Sequence, residues 1–369
     1  MAAIELSQID CRHLPAYRGT VDPDLAVIAL PQVESPPSLV AMDQRTHAAW
    51  GKSLSLSQYL HRERVLRASA FARRGLRAWI LHRGDQVLAS CETYACDVAV
   101  TVGRTGRAGR DGTSLRGEGH GIASVHVPHD QRGHGHASDL LTRVHAVLRG
   151  EGALLCYLLS EIGPTLYARL GYVPRPLFTR RYAAAPASES HGAVPPWRYL
   201  NQAQLPTVVS ALSARKASLS IEISVAQIEW HLLRTAFYSR CLGRPESPHI
   251  GAVAGDAVAL WAADPREGIL RVLAIYPGAA VSTPGAVFDP RAESAANVRN
   301  VLHAARTVAG QLGIPAIELW ENPSNALYLR GGVQAVGGDV PMVLPLTSAP
   351  ANSGLRGEEW QDYERAHWL

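Results

Sequence analysis

Apolar side chains along the first half of the chain repeat at two different spacings. Residues 54–73 carry them at helical spacing, and Ser55 or Ser57 is suited to cap that helix. Strand alternation follows on both sides of a turn at residues 83–85. The predicted elements are, in order, a helix within 54–73, strands at 78–82, 86–93 and 121–127, a helix at 140–148, a strand at 153–159 and a short helix at 164–170. Helices and strands interleave, which predicts an α/β (α+β) domain.

The second half repeats the pattern of the first at an offset of 161 residues. LLSEIGPTLYARLGYV (158–173) aligns without a gap on LWENPSNALYLRGGVQ (319–334), so that Tyr167 meets Tyr328 and Gly171 meets Gly332. The stretch between the copies, AAAPASESHGAVPP, has the composition of a linker. We therefore expect one domain over residues 1–185, a linker over 186–196 and a second, degenerate copy over 197–369.

Composition narrows the class of protein. With 369 residues, of which 47% are hydrophobic, the chain is able to bury a large core. The net charge of +4 is small, and the sequence lacks the dense basic stripe that is typical of a nucleic-acid-binding protein. No apolar run approaches the ~18 residues of a membrane span. The first ten residues lack the regions of a secretory signal, and the five cysteines lack disulfide or zinc spacing. We expect a cytoplasmic protein that binds neither nucleic acid nor membrane, with its oligomeric state left open.

A loop with two glycines joins the strand at 121–127 to the helix at 140–148. It reads Arg132-Gly133-His134-Gly135-His136-Ala137. A helix N-terminus presents unpaired N–H groups and partial positive charge, and glycines let a phosphate approach them closely. The loop lacks the third glycine of a dinucleotide fingerprint and the lysine of a nucleotide P-loop. We predict that it binds a diphosphate. The nearby histidines have no Cys or acidic partner at ligand spacing, so we predict no metal site.

Two motifs together resemble the GNAT acetyltransferases. The pattern Arg132-x-x-Gly135-x-Ala137 is similar to their acetyl-CoA loop, and Tyr167-x-x-x-Gly171-Tyr172 is similar to their tyrosine helix. The strings YLHRERVL (59–66), SCET (90–93), SVHVP (124–128) and the ending ERAHWL (364–369) resemble the fungal lysine N-acetyltransferase-like branch. This resemblance implies a GNAT fold with a mixed, mostly antiparallel sheet, a second domain that closes over the substrate side, and acetyl-CoA as cosubstrate.

The resemblance also assigns candidate site residues. The strand would offer backbone N–H groups to the thioester, and the loop would hold the phosphates; together these cofactor residues are Ser124, Val125, His126, Val127, Arg132, Gly133, His134, Gly135, His136 and Ala137. Tyr167 is the expected general acid, since an ordinary tyrosine pKa of about 10 keeps it protonated; a core tyrosine that anchors its helix is the alternative.

The general base stays open between four groups. Glu92 is expected to bind the substrate ammonium or to relay its proton, although pairing with a nearby arginine explains it equally well. Glu161, His231 and the terminal carboxylate of Leu369 are the other candidates, and His231 is also a candidate substrate-binding residue. A frayed terminus is the usual alternative to a docked one at Leu369.

The expected function is acetyl-CoA-dependent N-acetylation of a small amine, either free lysine or an amino-bearing secondary metabolite. Acetyl-CoA and amine would react directly in a ternary complex, because no cysteine shows a nucleophile–base arrangement. The alternatives are an O-acyltransferase, a transferase of longer acyl chains, and a non-catalytic acyl-CoA-binding module.

Overall fold

A computed structural model describes most of the chain, and its strands form two mixed sheets. It covers residues 25–30, 37–102, 113–186, 195–213, 219–277, 290–322, 325–336, 338–346 and 365–367. The strands are β1 (Ala26–Leu30), β2 (Leu76–Arg83), β3 (Gln86–Val102), β4 (Thr113–His126), β5 (Leu155–Ser160), β6 (Val173–Pro174), β7 (Phe178–Ala183), β8 (Arg198–Leu200), β9 (Leu219–Ile221), β10 (Gly251–Ala254), β11 (Ala257–Asp264), β12 (Ile269–Tyr276), β13 (Ala316–Glu321), β14 (Val333–Val336) and β15 (Val340–Pro345). The helices are α1 (Pro37–Trp50), α2 (Leu56–Arg67), α3 (Ala70–Gly75), α4 (His136–Gly150), α5 (Thr165–Arg169), α6 (Leu205–Ser213), α7 (Val225–Cys241) and α8 (Pro290–Gln311).

Serine side chains cap the N-termini of α2 and α3. Ser55 accepts from the backbone of Gln58, whose side chain returns the hydrogen bond, so that a capping box starts α2. Ser69 caps α3 by accepting a hydrogen bond from the backbone N–H of Ala72. The helix predicted within 54–73 is therefore two helices, because a second cap interrupts the apolar pattern.

The two sheets have the same internal order. The first runs β1-β2-β3-β4-β5-β15-β6, with β9 pairing to β3, and the second runs β14-β7-β13-β12-β11-β10-β8. Neighbouring strands are antiparallel except for the pairs β4–β5 and β12–β13. The mixed, mostly antiparallel sheet expected from the sequence is thus confirmed, and it occurs twice.

The internal repeat is visible in the element bounds. Shifting β5 by 161 residues gives the bounds of β13, and shifting α5 places it over a 3₁₀ turn at Ala326–Tyr328. Helix α4 buries Leu140, Leu141, Val144 and Leu148, and α8 buries the equivalent Val301, Leu302, Ala305 and Ala309. Val147, between two of these buried positions of α4, is 42% exposed.

The two halves exchange strands, and besides β9, which pairs with β3, one central strand crosses in each direction. β15, from the end of the chain, lies between β5 and β6 of the first sheet, with Val343 opposite Tyr157 and Val173. β7, from the first half, lies between β13 and β14 of the second sheet, with Arg181 opposite Glu318 and Val333. The expected boundaries at 185 and 197 remain a prediction, but the sheets themselves do not divide the chain there. Each half completes the other.

None of the described helices combines the length and the apolar character needed to cross a bilayer.

Candidate active site

A bulge interrupts β4 where it lies opposite Cys91. Ser90 pairs with His126 and Glu92 pairs with Ala123, so two residues of β4 face one residue of β3. Ser124, the first of the two, has φ 54°, in the left-handed region that a non-glycine residue rarely adopts. Such strain tends to persist at functional sites, where it re-aims backbone groups.

β4 also separates from β5 at this point. The parallel pairing runs from Gly119 opposite Leu155 to Ile122 opposite Leu158, and among the described residues it ends there. Residues 123–126 therefore have one backbone edge without a strand partner on the β5 side. A ligand with amide groups is able to add to such an edge as a strand would. The predicted residues Ser124, Val125, His126 and Val127 lie along this opening.

The glycine loop lies between β4 and the start of α4. Gly133 and Gly135 have φ of 84° and 83°, and a side chain at Gly133 would meet nothing within 4 Å. Gly135 is the N-cap of α4 and offers no side-chain cap, so the first N–H groups of the helix have no such partner. Arg132, His134 and the glycines are exposed, whereas His136 is buried beside the His134 ring, at 5.9 Å between centroids. The loop thus has the open backbone that a diphosphate requires.

Tyr167 is buried at the base of the opening. It is 6% exposed, contacts the Tyr172 ring edge-on at 5.9 Å, and burial raises its pKa to about 12. Tyr172 is tied down separately, because its hydroxyl is hydrogen-bonded to His145 at 2.8 Å. Tyr167 therefore stays protonated at any physiological pH, and it is part of the core as well as of the site.

Glu92 is buried and accepts hydrogen bonds on both oxygens. Arg67 donates to Oε1 at 2.9 Å, and the hydroxyls of Ser124 and Tyr94 donate to Oε2 at 3.0 and 3.2 Å. Arg67 also makes a two-bond pair with Asp43, at 2.6 and 2.7 Å. Burial raises the pKa of Asp43 to about 6 in spite of that pair. Glu92 therefore pairs with an arginine, as the structural alternative expects, and it also lies beside the bulge in β4.

These groups share one cavity of about 280 Å³. Its lining includes Glu92, Ser124, Val125, Tyr167 and Glu161. Of the predicted residues, the loop from Arg132 to Ala137, His126 and Val127 do not line it, since they lie along the opening that leads away from the bulge. His231 does not line it either and lies instead on the wall of a neighbouring, larger cavity. Arg132 donates to the Val127 carbonyl at 3.2 Å and so ties the loop to the end of β4.

His231 is held by the end of the chain. Its Nε2 lies 2.9 Å from the Ala366 carbonyl oxygen, so this nitrogen must carry the donated hydrogen. Burial lowers the pKa of His231 to about 3, which keeps the ring neutral. Ala366 and His367 are buried, so residues 365–367 are docked. Leu369, whose carboxylate is a predicted base, lies outside the described residues.

Sequence reasoning missed Arg67, Asp43 and Tyr94. The one local signal was Glu63, four residues before Arg67, which marks a polar helix face without pointing to Glu92. Among the described residues, no group of His, Cys, Asp and Glu side chains is placed to hold a metal ion.

Comparison with known proteins places the fold. A GCN5-related N-acetyltransferase from Kribbella flavida is 18% identical, with a TM-score of 0.53 over 86% of this chain and 70% of that one. Another from Anabaena variabilis is 13% identical, with a TM-score of 0.51 over 88% and 73%. N-myristoyltransferase from Saccharomyces cerevisiae, determined with bound myristoyl-CoA, is 7% identical, with a TM-score of 0.51 over 91% and 82%. The fold is therefore that of the GCN5-related N-acetyltransferases.

A family model narrows the assignment. Residues 190–341 match the LYC1 GNAT-like C-terminal domain. No curated protein matches the chain. The predicted resemblance to GNAT proteins and to their LYC1-like branch is thus confirmed, in the fold of the whole chain and in the domain that the family model covers.

Proposed function

We propose that the protein transfers the acetyl group of acetyl-CoA to the nitrogen of a small amine. The observation that carries the proposal is the cavity that brings Ser124, Tyr167 and Glu92 together where β4 separates from β5. Acyl transfer requires donors for a developing oxyanion, a proton for the leaving thiolate and an acceptor for the amine proton. Each requirement has a group in this cavity.

The cofactor would lie along the opening beside residues 123–126. Its diphosphate would be held by the N–H groups at the start of α4, beside Gly133 and Gly135, and Arg132 supplies positive charge. Its pantetheine amides would pair with the free edge of β4. When bound, it supplies the acetyl thioester, and the chain supplies its placement.

In the acyl transfer itself, a C–N bond forms between the amine and the acetyl carbon, and the thioester C–S bond breaks. Backbone N–H groups at the Ser124 bulge would stabilise charge on the carbonyl oxygen. Tyr167 would donate its hydroxyl proton to the departing sulfur, a donation its raised pKa permits because the group stays protonated.

Glu92 would receive the amine proton through Ser124. Both Glu92 oxygens already accept hydrogen bonds, so an ammonium reaches the carboxylate directly only by displacing a donor. Ser124 lines the cavity and donates to Glu92, and it is therefore placed to pass a proton inward while it takes one from the amine. Glu161, exposed at the edge of the same cavity, is the second candidate base.

A long acyl chain fits this site less well than acetyl. The lining of the neighbouring larger cavity includes many charged side chains, among them Arg181, Arg234, Asp264 and Glu318. Apolar methylene groups gain nothing by entering such surroundings. An alcohol in place of the amine would use the same groups, with Glu92 as base and no ammonium to bind.

The test is thiol release from acetyl-CoA over a panel of amines and alcohols, with longer acyl-CoAs alongside. Acetylation of amines in preference to alcohols supports the proposal. Tight acetyl-CoA binding without any turnover, across the whole panel, would assign the protein to the non-catalytic binding modules. Calorimetry should give one acetyl-CoA per chain, since no Arg-x-x-Gly-x-Ala sequence precedes α8.

A further inference from the structure

A second and larger cavity, of about 850 Å³, adjoins the active-site cavity. Trp50, Leu159, Glu161 and Arg234 line both. Its other walls come from α7, β11 to β14 and the docked turn at residues 365–367, so the two halves of the chain enclose it together. A molecule that reaches Glu92 from the side away from the cofactor loop would occupy this space.

Most charges on its walls are paired with each other. Arg181 bonds to Glu318 at 2.6 Å, and Arg266 bonds to Asp264 at 2.8 Å. Arg271 contacts Asp264, Glu267 and Glu318. These pairs satisfy one another and leave little attraction for a ligand.

Two guanidinium groups are different. Arg234, from α7, and Arg365, from the docked turn, form no ion pair with any described residue. Each lies over an aromatic ring instead: Arg234 is 5.5 Å from the Trp230 ring centre, and Arg365 is 5.1 Å from that of Trp320.

Their surroundings add positive charge. Burial, together with the charges of Arg266 and Arg62, lowers the pKa of Arg234 to about 10. Burial, together with the charge of Arg271, likewise lowers the pKa of Arg365 to about 10, while Asp339 opposes the shift without forming an ion pair. Both groups remain charged at neutral pH. A charge without a partner in such surroundings is costly, and an anionic ligand would relieve the cost.

We propose that Arg234 and Arg365 bind a carboxylate of the acceptor, and that the acceptor is a carboxylated amine larger than a single amino acid, such as a short peptide. This rests on the proposed function. The size follows from the volume, because cavities of ~300–1,000 Å³ hold drug-sized ligands. The orientation of the acceptor, with its amine toward Glu92 and its carboxylate in the larger cavity, follows from the positions of the two arginines. Arg234 lies at the junction of the two cavities and Arg365 lies in the larger one. Guanidinium forks suit carboxylates, which they bind with paired hydrogen bonds.

The probes are the tripeptide Gly-Lys-Gly with a free C-terminal carboxylate and the same peptide as its C-terminal amide. Calorimetry should show at least tenfold tighter binding of the acid to the wild type, and Arg234→Gln or Arg365→Gln should bring this preference below about threefold. Arg240→Gln is the matched control: it lies on the same helix, and its side chain is 73% exposed and paired with Glu246. It should leave the preference unchanged. Equal binding of the two peptides by the wild type overturns the carboxylate subsite.

Activity tests the size of the acceptor and separates this inference from the proposed function. The kcat/KM for the free-acid peptide should exceed that for free lysine at least tenfold. A higher value for lysine overturns the size assignment. If the peptide binds with the expected acid preference while no amine is acetylated, the subsite stands and the proposed function fails.

Discussion

The Ser124 hydroxyl donates to Glu92 Oε2 across 3.0 Å, from a backbone held in the left-handed region at φ 54°. The bulge and the carboxylate are therefore linked through one side chain. Replacing Ser124 with Ala should lower kcat by roughly 10²-fold if this hydroxyl carries the proton. Ser124→Gly is the control, because glycine relieves the backbone strain while it also lacks the hydroxyl. Normal turnover in the glycine variant would show that the hydroxyl is not needed.

Glu92→Gln should lower turnover by a similar factor without unfolding the protein. Arg67 keeps its two-bond pair with Asp43, so no unpaired charge is buried by the change. The measurement is kcat at saturating substrates beside a thermal melt. If kcat is unchanged, Glu161 becomes the leading base.

Tyr167→Phe should lower kcat by roughly 10²-fold and leave acetyl-CoA affinity unchanged. Tyr172→Phe is the matched control. It removes a hydroxyl that is bonded to His145 in the core, so it should lower stability by about 1 kcal/mol and spare turnover. Near-normal turnover in the Tyr167 variant would assign that residue to the core alone.

Gly135→Val should raise the Kd for acetyl-CoA at least tenfold, about 1.4 kcal/mol. A branched side chain would obstruct the approach of a phosphate to the start of α4, and φ 83° strains it as well. Gly152→Val carries matching strain at φ 88°, with open space around it, at the other end of the same helix. It should cost stability but not affinity. Equal affinities in calorimetry for wild type and the Gly135 variant contradict the loop assignment.

The acid sensitivity of folding should depend on His231. Its folded pKa of about 3 lies below the ordinary 6.5, so its stabilising contribution is present above pH 6.5 and is lost as the pH falls toward 3. Between pH 6 and 4, the unfolding free energy of His231→Gln should fall by about 1.4 kcal/mol per pH unit less than that of the wild type. Glutamine still offers a donor to the Ala366 carbonyl. If the unfolding free energies of the wild type and the variant, measured by urea unfolding, fall in parallel as the pH is lowered, a group other than His231 takes up the proton.

Deleting Trp368 and Leu369 should lower activity more than thermal stability if the terminal carboxylate acts in the site. The docked turn at residues 365–367 keeps its bond to His231 in this variant. A C-terminal tag should have the same effect, because it moves the charge away. Full activity in a tagged enzyme rules out the terminal base.

Local sequence was enough to identify the loop, the tyrosine helix and the repeat. A glycine cap before an apolar helix, and a string such as LY-x-R-x-G found again 161 residues later, are signals carried by neighbouring residues. These features are readable in the sequence because a helix start and a turn depend mainly on residues within a few positions, and it was the resemblance of the loop and the tyrosine helix to GNAT motifs that implied the fold.

The partners of Glu92, the exchanged strands and the larger cavity were decided by tertiary structure alone. Arg67 and Ser124 lie 25 and 32 residues from Glu92, and no local pattern says that all three meet. β7 and β15 are equivalent strands of the repeat, and the backbone of each has the groups to pair with either sheet. Tertiary packing therefore determines which strand lies in which sheet. Arg234 and Arg365 look like ordinary surface arginines in the sequence. In the folded protein they face the larger cavity between the two halves, and neither forms an ion pair with any described residue.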